Sequence, residues 1–76
     1  MSELSGMILV SCEGTDCKSL IKKAEKIHNV VSVLRPRDKN DIDVVITLRG
    51  TEESIKKTRE EIYNLPEVTT VECSIY

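Results

Sequence analysis

Short apolar runs alternate with two amphipathic stretches along this chain. Residues 7–12 form a compact apolar run, residues 30–34 are mostly β-branched, and residues 43–49 and 68–76 alternate apolar with polar side chains. These are the patterns of β-strands with one or both faces buried. Between them, apolar residues recur with helical spacing. The order predicted from this pattern is βαββαβ.

The helical stretches also have recognisable ends. In the first, apolar side chains recur after Thr15 or Asp16, either of which can cap the helix, at Cys17, Leu20, Ile21, Ala24 and Ile27. In the second, Thr51 is the predicted N-cap, Ile55, Ile62 and Leu65 form the buried stripe, and Thr58 with the stem of Arg59 fills its middle. Pro66 should end this helix, because it disfavours helical geometry in the preceding residue.

This order predicts an α+β, ferredoxin-like fold in a single domain over residues 1–76, with a four-stranded antiparallel sheet and two helices on one face. The first strand is apolar on both sides, with Ile8 and Val10 on one and Met7 and Leu9 on the other. One of these sides, together with Val45, is therefore left on the uncovered face. We expect Met7, Leu9 and Val45 to form a homo-oligomer interface.

The composition also favours a small domain that associates with itself. The 76 residues are 39% hydrophobic and contain two aromatic side chains, Tyr63 and Tyr76, so the core is small and self-association would add burial. The net charge of −2 argues against autonomous binding to nucleic acid. No apolar run approaches the roughly 20 residues that span a bilayer, and the N-terminus lacks a basic signal-peptide start. We expect a cytoplasmic protein without membrane contact.

The three cysteines, Cys12, Cys17 and Cys73, form an odd set, which favours reduced thiols over a disulfide framework. Cys12 and Cys17 flank the loop after the first strand, where ferredoxin-like metal chaperones hold soft metals on two thiolates. The Cys-x4-Cys spacing differs from theirs, so structural thiols are the preferred interpretation, and a soft-metal carrier is an alternative function. We assign no metal ligand and no cofactor.

No arrangement of residues typical of an enzyme is evident. His28 lies at a helix end, where a cation favours the helix dipole, and the glycines Gly6, Gly14 and Gly50 are isolated turn residues rather than a phosphate loop. The densest polar cluster spans residues 38–43, either as a solvated hairpin tip or as a ligand contact built on Asp43. The sequence therefore predicts a protein that is not an enzyme.

Two segments resemble the C-terminal effector domain of the Lrp/AsnC transcription regulators. Leu65-Pro66-Glu67-Val68 resembles the Leu-Pro-Gly-Val that precedes the last strand in that family, and residues 40–43 resemble its Gly-x-aromatic-Asp hairpin, with Asp43 retained. The resemblance covers about residues 7–76 and implies a dimer with sheets packed face to face. It further implies an amino-acid effector at a subunit seam, lined by Asn40, Asp41, Ile42, Asp43, Ile75 and Tyr76.

The family's N-terminal helix-turn-helix has no counterpart before Met7, so the chain resembles a stand-alone effector domain that does not bind DNA by itself. The resulting hypothesis is a non-enzymatic module that senses an amino-acid-like effector, forms oligomers and acts in transcription regulation through a partner, such as a full-length Lrp/AsnC regulator. A ligand-free protein-interaction adaptor is the other alternative.

Overall fold

The computed structural model describes residues 3–13, 16–36 and 42–75. The predicted order of elements is confirmed: the strands and helices are β1 (Leu4–Cys12), α1 (Asp16–Glu25), β2 (Val30–Leu34), β3 (Val44–Gly50), α2 (Glu52–Tyr63) and β4 (Val68–Ile75). The four strands form one antiparallel sheet in the order β2-β3-β1-β4. This is the ferredoxin-like arrangement expected from the sequence.

The register of the sheet decides which side of β1 faces the helices. Ile8 lies opposite Ile46 and Cys73, and all of its surface is buried. Leu9 lies opposite Val45 and stays partly exposed. Since directly opposed residues share a face, Ile8 and Val10 belong to the core, and Met7 and Leu9 point to the side without helices.

The core is assembled from both helices and the two central strands. Buried positions alternate strictly along β1 and β3, as the period of two requires. The buried apolar residues are Ile8, Val10, Cys12, Cys17, Leu20, Ala24, Val44, Ile46, Leu48, Ile55 and Ile62. Partly buried side chains of β2 and β4 extend this cluster at its edges.

Gly6 is not a turn residue before the first strand, as the sequence suggested, but a buried residue inside β1. A Cβ atom at this position would lie 2.8 Å from Cγ2 of Ile55, closer than two carbon atoms can approach without a shift. The absence of a side chain therefore lets α2 pack directly against the sheet.

The start of α2 is as predicted, but the helix ends two residues before Leu65, which the sequence had placed in its buried stripe. The Thr51 hydroxyl accepts a hydrogen bond from the Ser54 N–H at 3.1 Å, which confirms Thr51 as the N-cap. The last helical residue is Tyr63, and Asn64 is the C-cap, so Pro66 follows the helix in the turn before β4. For α1 the structure shows a start at Asp16, and the alternative cap Thr15 lies outside the described residues.

The two halves of the chain have matching architecture, because residues 38 positions apart occupy equivalent places. The turn that follows each helix carries a polar residue at the equivalent position, Asn29 in the first half and Glu67 in the second. Each of these side chains bonds to the helix of the other half. The two halves are thus joined by polar contacts as well as by the shared core.

The Asn29 contact replaces an apolar contact in the middle of the α2 stripe. Its amide donates to the Ser54 carbonyl at 3.3 Å, and its Oδ1 accepts from the Thr58 hydroxyl at 2.8 Å. Thr58 is 5% exposed, whereas Arg59, whose stem the sequence placed in the same stripe, is exposed. A buried hydroxyl that has a hydrogen-bond partner is tolerated in the core, whereas a buried hydroxyl without such a partner would destabilise the fold.

Candidate assembly face and effector site

The side of the sheet without helices carries an apolar centre. Met7, Leu9 and Val45 lie together there, as predicted, and Leu34 of β2 extends the patch beside Val45 with 60% of its surface exposed. We call these four residues the open face. Leu34 was not among the residues predicted for this face, although its alternation with Val33, which packs against the core, was a signal for this placement.

The border of the open face is polar. It is formed by hydroxyl side chains and by charges of both signs, from Ser5, Ser11, Ser32, Thr47, Arg49, Thr70, Glu72 and Ser74. An apolar centre with a polar border is the usual anatomy of a protein interface. The geometry therefore suits contact with another protein surface.

Asp43 closes one end of the pairing between β1 and β3. Its backbone N–H donates to the Val10 carbonyl at 2.9 Å, and its Oδ2 accepts from the Cys12 N–H at 3.0 Å. The carboxylate thereby satisfies a backbone donor at the point where the strand ladder ends. Asp43 therefore caps the end of this strand pair.

The expectation of reduced thiols is wrong for two of the three cysteines. Cys12 and Cys17 form a disulfide, with their Cα atoms 5.4 Å apart, and only Cys73 is free. Cys12 is the last residue of β1 and Cys17 lies in the first turn of α1, so the fold turns both side chains into the same part of the core. An odd number of cysteines in the sequence does not exclude such a local pair.

A shallow depression of about 870 Å³ runs from the open face to the Asp43 end of the sheet. Leu9 lines one part of it and Ile42 and Asp43 line another; Ser11, Cys12, Glu13, Thr69, Thr70, Val71 and Glu72 complete the wall. Hydroxyl groups and carboxylates therefore meet apolar surface in one concave region. A protein bound over Leu9 would cover part of this depression.

Not all residues predicted to contact an effector come together within one chain. Ile42 and Asp43 are neighbours, whereas Ile75 lies opposite Gly6 near the other end of β1 and packs against the core on the helix side. Asn40, Asp41 and Tyr76 lie outside the described residues. A seam that uses both Asp43 and Ile75 would need residues from two chains.

Glu67 belongs to the segment that carried the family resemblance, and its role here is structural. Its side chain is 9% exposed; Oε2 lies 2.7 Å from the Lys23 Nζ and accepts from the Ser19 hydroxyl at 2.7 Å. The hydrogen bond from Lys23 is the main reason that the pKa of Glu67 is lowered to about 2, and the bond from Ser19 lowers it further. Glu67 thus fixes the turn before β4 against α1.

The described residues contain no helix with the length and apolar character that crossing a membrane requires. His28 is exposed at the turn between α1 and β2.

No protein-family model and no curated protein sequence matches this chain. Solved structures do match. FFRP-DM1 is 15% identical with a TM-score of 0.84, over 96% of this chain and 97% of its own. AsnC of E. coli is 14% identical with a TM-score of 0.76, over 96% and 50%. A transcriptional regulatory protein of Pyrococcus furiosus, a member of the AsnC family, is 13% identical with a TM-score of 0.65, over 97% and 50%.

The chain therefore has the fold of these proteins over nearly its whole length, and the resemblance to the Lrp/AsnC family that the sequence suggested is confirmed at the level of the fold. It matches almost all of FFRP-DM1 and spans about half the length of the two AsnC-type proteins.

Proposed function

We propose that this chain is a non-enzymatic module that forms homo-oligomers through its open face, senses a small amino-acid-like effector and acts in transcription regulation through partner proteins. The observation that carries the proposal is the open face, because it leaves Met7, Leu9, Leu34 and Val45 in contact with solvent on one side of a very small domain. Likeness in fold to AsnC-type regulators supports the regulatory part.

A second copy of the chain is the partner that fits the open face. A two-fold contact places the same surface on both sides, so it requires a surface that complements itself. The polar border of the open face can complement itself in this way, since Arg49 and Glu72 give the border charges of both signs. Burial of a Leu or Val side chain contributes up to about 1.5–3 kcal/mol, so four such residues on each copy are a substantial driving force.

The oligomer is tested by measuring mass in solution over a concentration series, using light scattering or sedimentation. We expect a mass above that of the monomer for the wild type and a folded monomer for Leu9→Lys, because a charge in the open face would be buried without a partner. Tyr63→Lys is the matched control, since Tyr63 is 64% exposed on α2, away from the open face. A monomeric wild type, or a folded Leu9→Lys variant of unchanged mass, would contradict the proposal.

The effector site is the depression between the open face and Asp43. The Asp43 carboxylate suits the ammonium group of an amino acid. A second copy seated on Leu9 would narrow the depression, which couples ligand binding to assembly. Ile75, which the sequence also assigned to the seam, does not line this depression within one chain.

The effector is tested by thermal denaturation with each of the twenty amino acids at millimolar concentration. A bound ligand raises the melting temperature because it binds only the folded state. Asp43→Asn is the informative variant: an amide oxygen can still accept the Cys12 N–H, but the negative charge is gone. We expect this variant to fold like the wild type and to lose the ligand-induced rise. No rise with any amino acid would favour a ligand-free adaptor.

Contact with DNA should be indirect. With a net charge of −2, the isolated chain is expected to bind duplex DNA only at weak, non-specific levels. Its cytoplasmic partner is proposed to be a full-length regulator of the same fold. Tight, sequence-selective binding by the isolated chain would overturn this part of the proposal.

A further inference from the structure

The disulfide and Asp43 together form a cluster of metal-binding atoms. The sulfur atoms of Cys12 and Cys17 and a carboxylate oxygen of Asp43 all lie within 4.8 Å of one another. The three residues come from three different elements: the end of β1, the first turn of α1 and the residue before β3. The fold, and not a local sequence motif, therefore brings them together.

The surroundings suit a metal site that is shielded from solvent on its sulfur side. Cys12 and Cys17 are 6% and 2% exposed, so water is largely excluded from the sulfurs. The Cys12 N–H holds the Asp43 carboxylate in place through Oδ2 at 3.0 Å, and a carboxylate has further lone pairs for a metal. Such a hydrogen bond is the usual way in which a protein orients a metal ligand from outside the coordination shell.

We propose that the reduced form of this protein binds one zinc ion through the thiolates of Cys12 and Cys17 and the carboxylate of Asp43, and that the disulfide blocks this site. Opening the site needs a dithiol reductant. The S–S bond takes up two electrons and two protons to give two thiols, and the reductant becomes a disulfide. Zinc then displaces the two thiol protons as two Zn–S bonds form.

Zinc is the metal that this donor set favours. It accepts sulfur and carboxylate ligands in tetrahedral geometry, with Zn–S bonds of about 2.3 Å, which places two thiolates about 3.7 Å apart. Cα atoms 5.4 Å apart are compatible with that separation after rotation of the side chains. Three protein ligands leave the fourth position for water or for a further donor. None of the zinc ligands belongs to the open face, so the mass of the Leu9→Lys variant tests the oligomer separately from the metal. Asp43 is shared with the proposed effector site, so zinc and an amino acid would compete for its carboxylate.

The test uses the full chain with Cys73→Ala as background, so that the free thiol cannot bind metal. Cobalt(II) serves as the optical probe, because thiolate ligands give bound cobalt a charge-transfer absorption. Zinc is then added to displace the cobalt, and the loss of this absorption is followed. We expect the reduced protein to bind one cobalt per chain and the oxidised protein to bind none. Added Cys17→Ser should abolish the absorption, and added Asp43→Asn should weaken affinity about tenfold or more.

Circular dichroism on the same samples separates loss of ligand from loss of fold. If the reduced chain unfolds without metal, zinc must restore the folded spectrum. The proposal is overturned if the reduced protein binds metal no better than the Cys12→Ser, Cys17→Ser double variant, or if zinc fails to refold an unfolded reduced chain. If the folded Asp43→Asn variant binds metal as tightly as the protein that retains Asp43, then Asp43 is not a ligand of this site.

Discussion

The polar link between Asn29 and α2 offers the sharpest test of how the two halves are joined. Asn29→Ala removes two side-chain hydrogen bonds, one to the Ser54 carbonyl and one from the Thr58 hydroxyl. The Thr58 hydroxyl has a single proton and can donate it to the Ser54 carbonyl at 3.0 Å instead, so no buried donor is left without a partner. No described residue other than glycine has a positive φ, so alanine adds no backbone strain at Asn29.

The magnitude follows from this count. Because the Thr58 hydroxyl exchanges one acceptor for another, the net loss is about one hydrogen bond, which contributes about 0.5–1.5 kcal/mol. The free energy of unfolding should therefore fall by about 1 kcal/mol. For a domain of this size, 1 kcal/mol corresponds to about 4–8 °C in melting temperature. We therefore expect the melting temperature to fall by about 4–8 °C for Asn29→Ala, measured by thermal denaturation and checked by urea denaturation of the oxidised protein.

The control is the neighbouring residue His28, which is exposed. His28→Ala should change the free energy of unfolding by less than about 0.5 kcal/mol. A double-mutant cycle with Thr58→Val isolates the contact and should give a coupling of about 0.5–3 kcal/mol. If Asn29→Ala is no more destabilising than His28→Ala, or if the Asn29 and Thr58 effects simply add, the link does not stabilise the fold.

Two further predictions concern contacts that the sequence did not reveal. Because the pKa of Glu67 is lowered from 4.5 to about 2, its ion pair stabilises the native state above pH 4.5 and loses that effect as the pH falls to about 2. In urea denaturation, the free energy of unfolding of the wild type should exceed that of Glu67→Gln above pH 4.5, and the difference should disappear towards pH 2. A difference that stays constant over this range would be contrary evidence. Gly6→Ala should lower the free energy of unfolding by about 1–3 kcal/mol through overpacking against Ile55. In the Gly6→Ala, Ile55→Ala double variant the two effects should not add. Full additivity would show that the contact with Ile55 is not the reason that alanine is unfavourable at position 6.

The elements of this fold are determined locally by the sequence. The alternation of Val44, Ile46 and Leu48 with polar residues defines a strand with one buried face, and the Thr51 cap marks the start of a helix, because both depend on residues within one or two turns of chain. The order βαββαβ, and with it the ferredoxin-like fold and the family resemblance, could therefore be predicted. Asp43 could be singled out for the same reason, as an acid at the start of a β-strand.

Contacts between distant parts of the chain were decided by the tertiary structure. Both sides of β1 are apolar, so only its pairing with β3 and β4 assigns Leu9 to the open face and Ile8 to the core. The disulfide forms because α1 returns Cys17 to the end of β1, and Thr58 is acceptable in the core because Asn29 reaches it from the other half. A periodic pattern specifies which face of an element is apolar, but the partner of each side chain depends on how the elements dock.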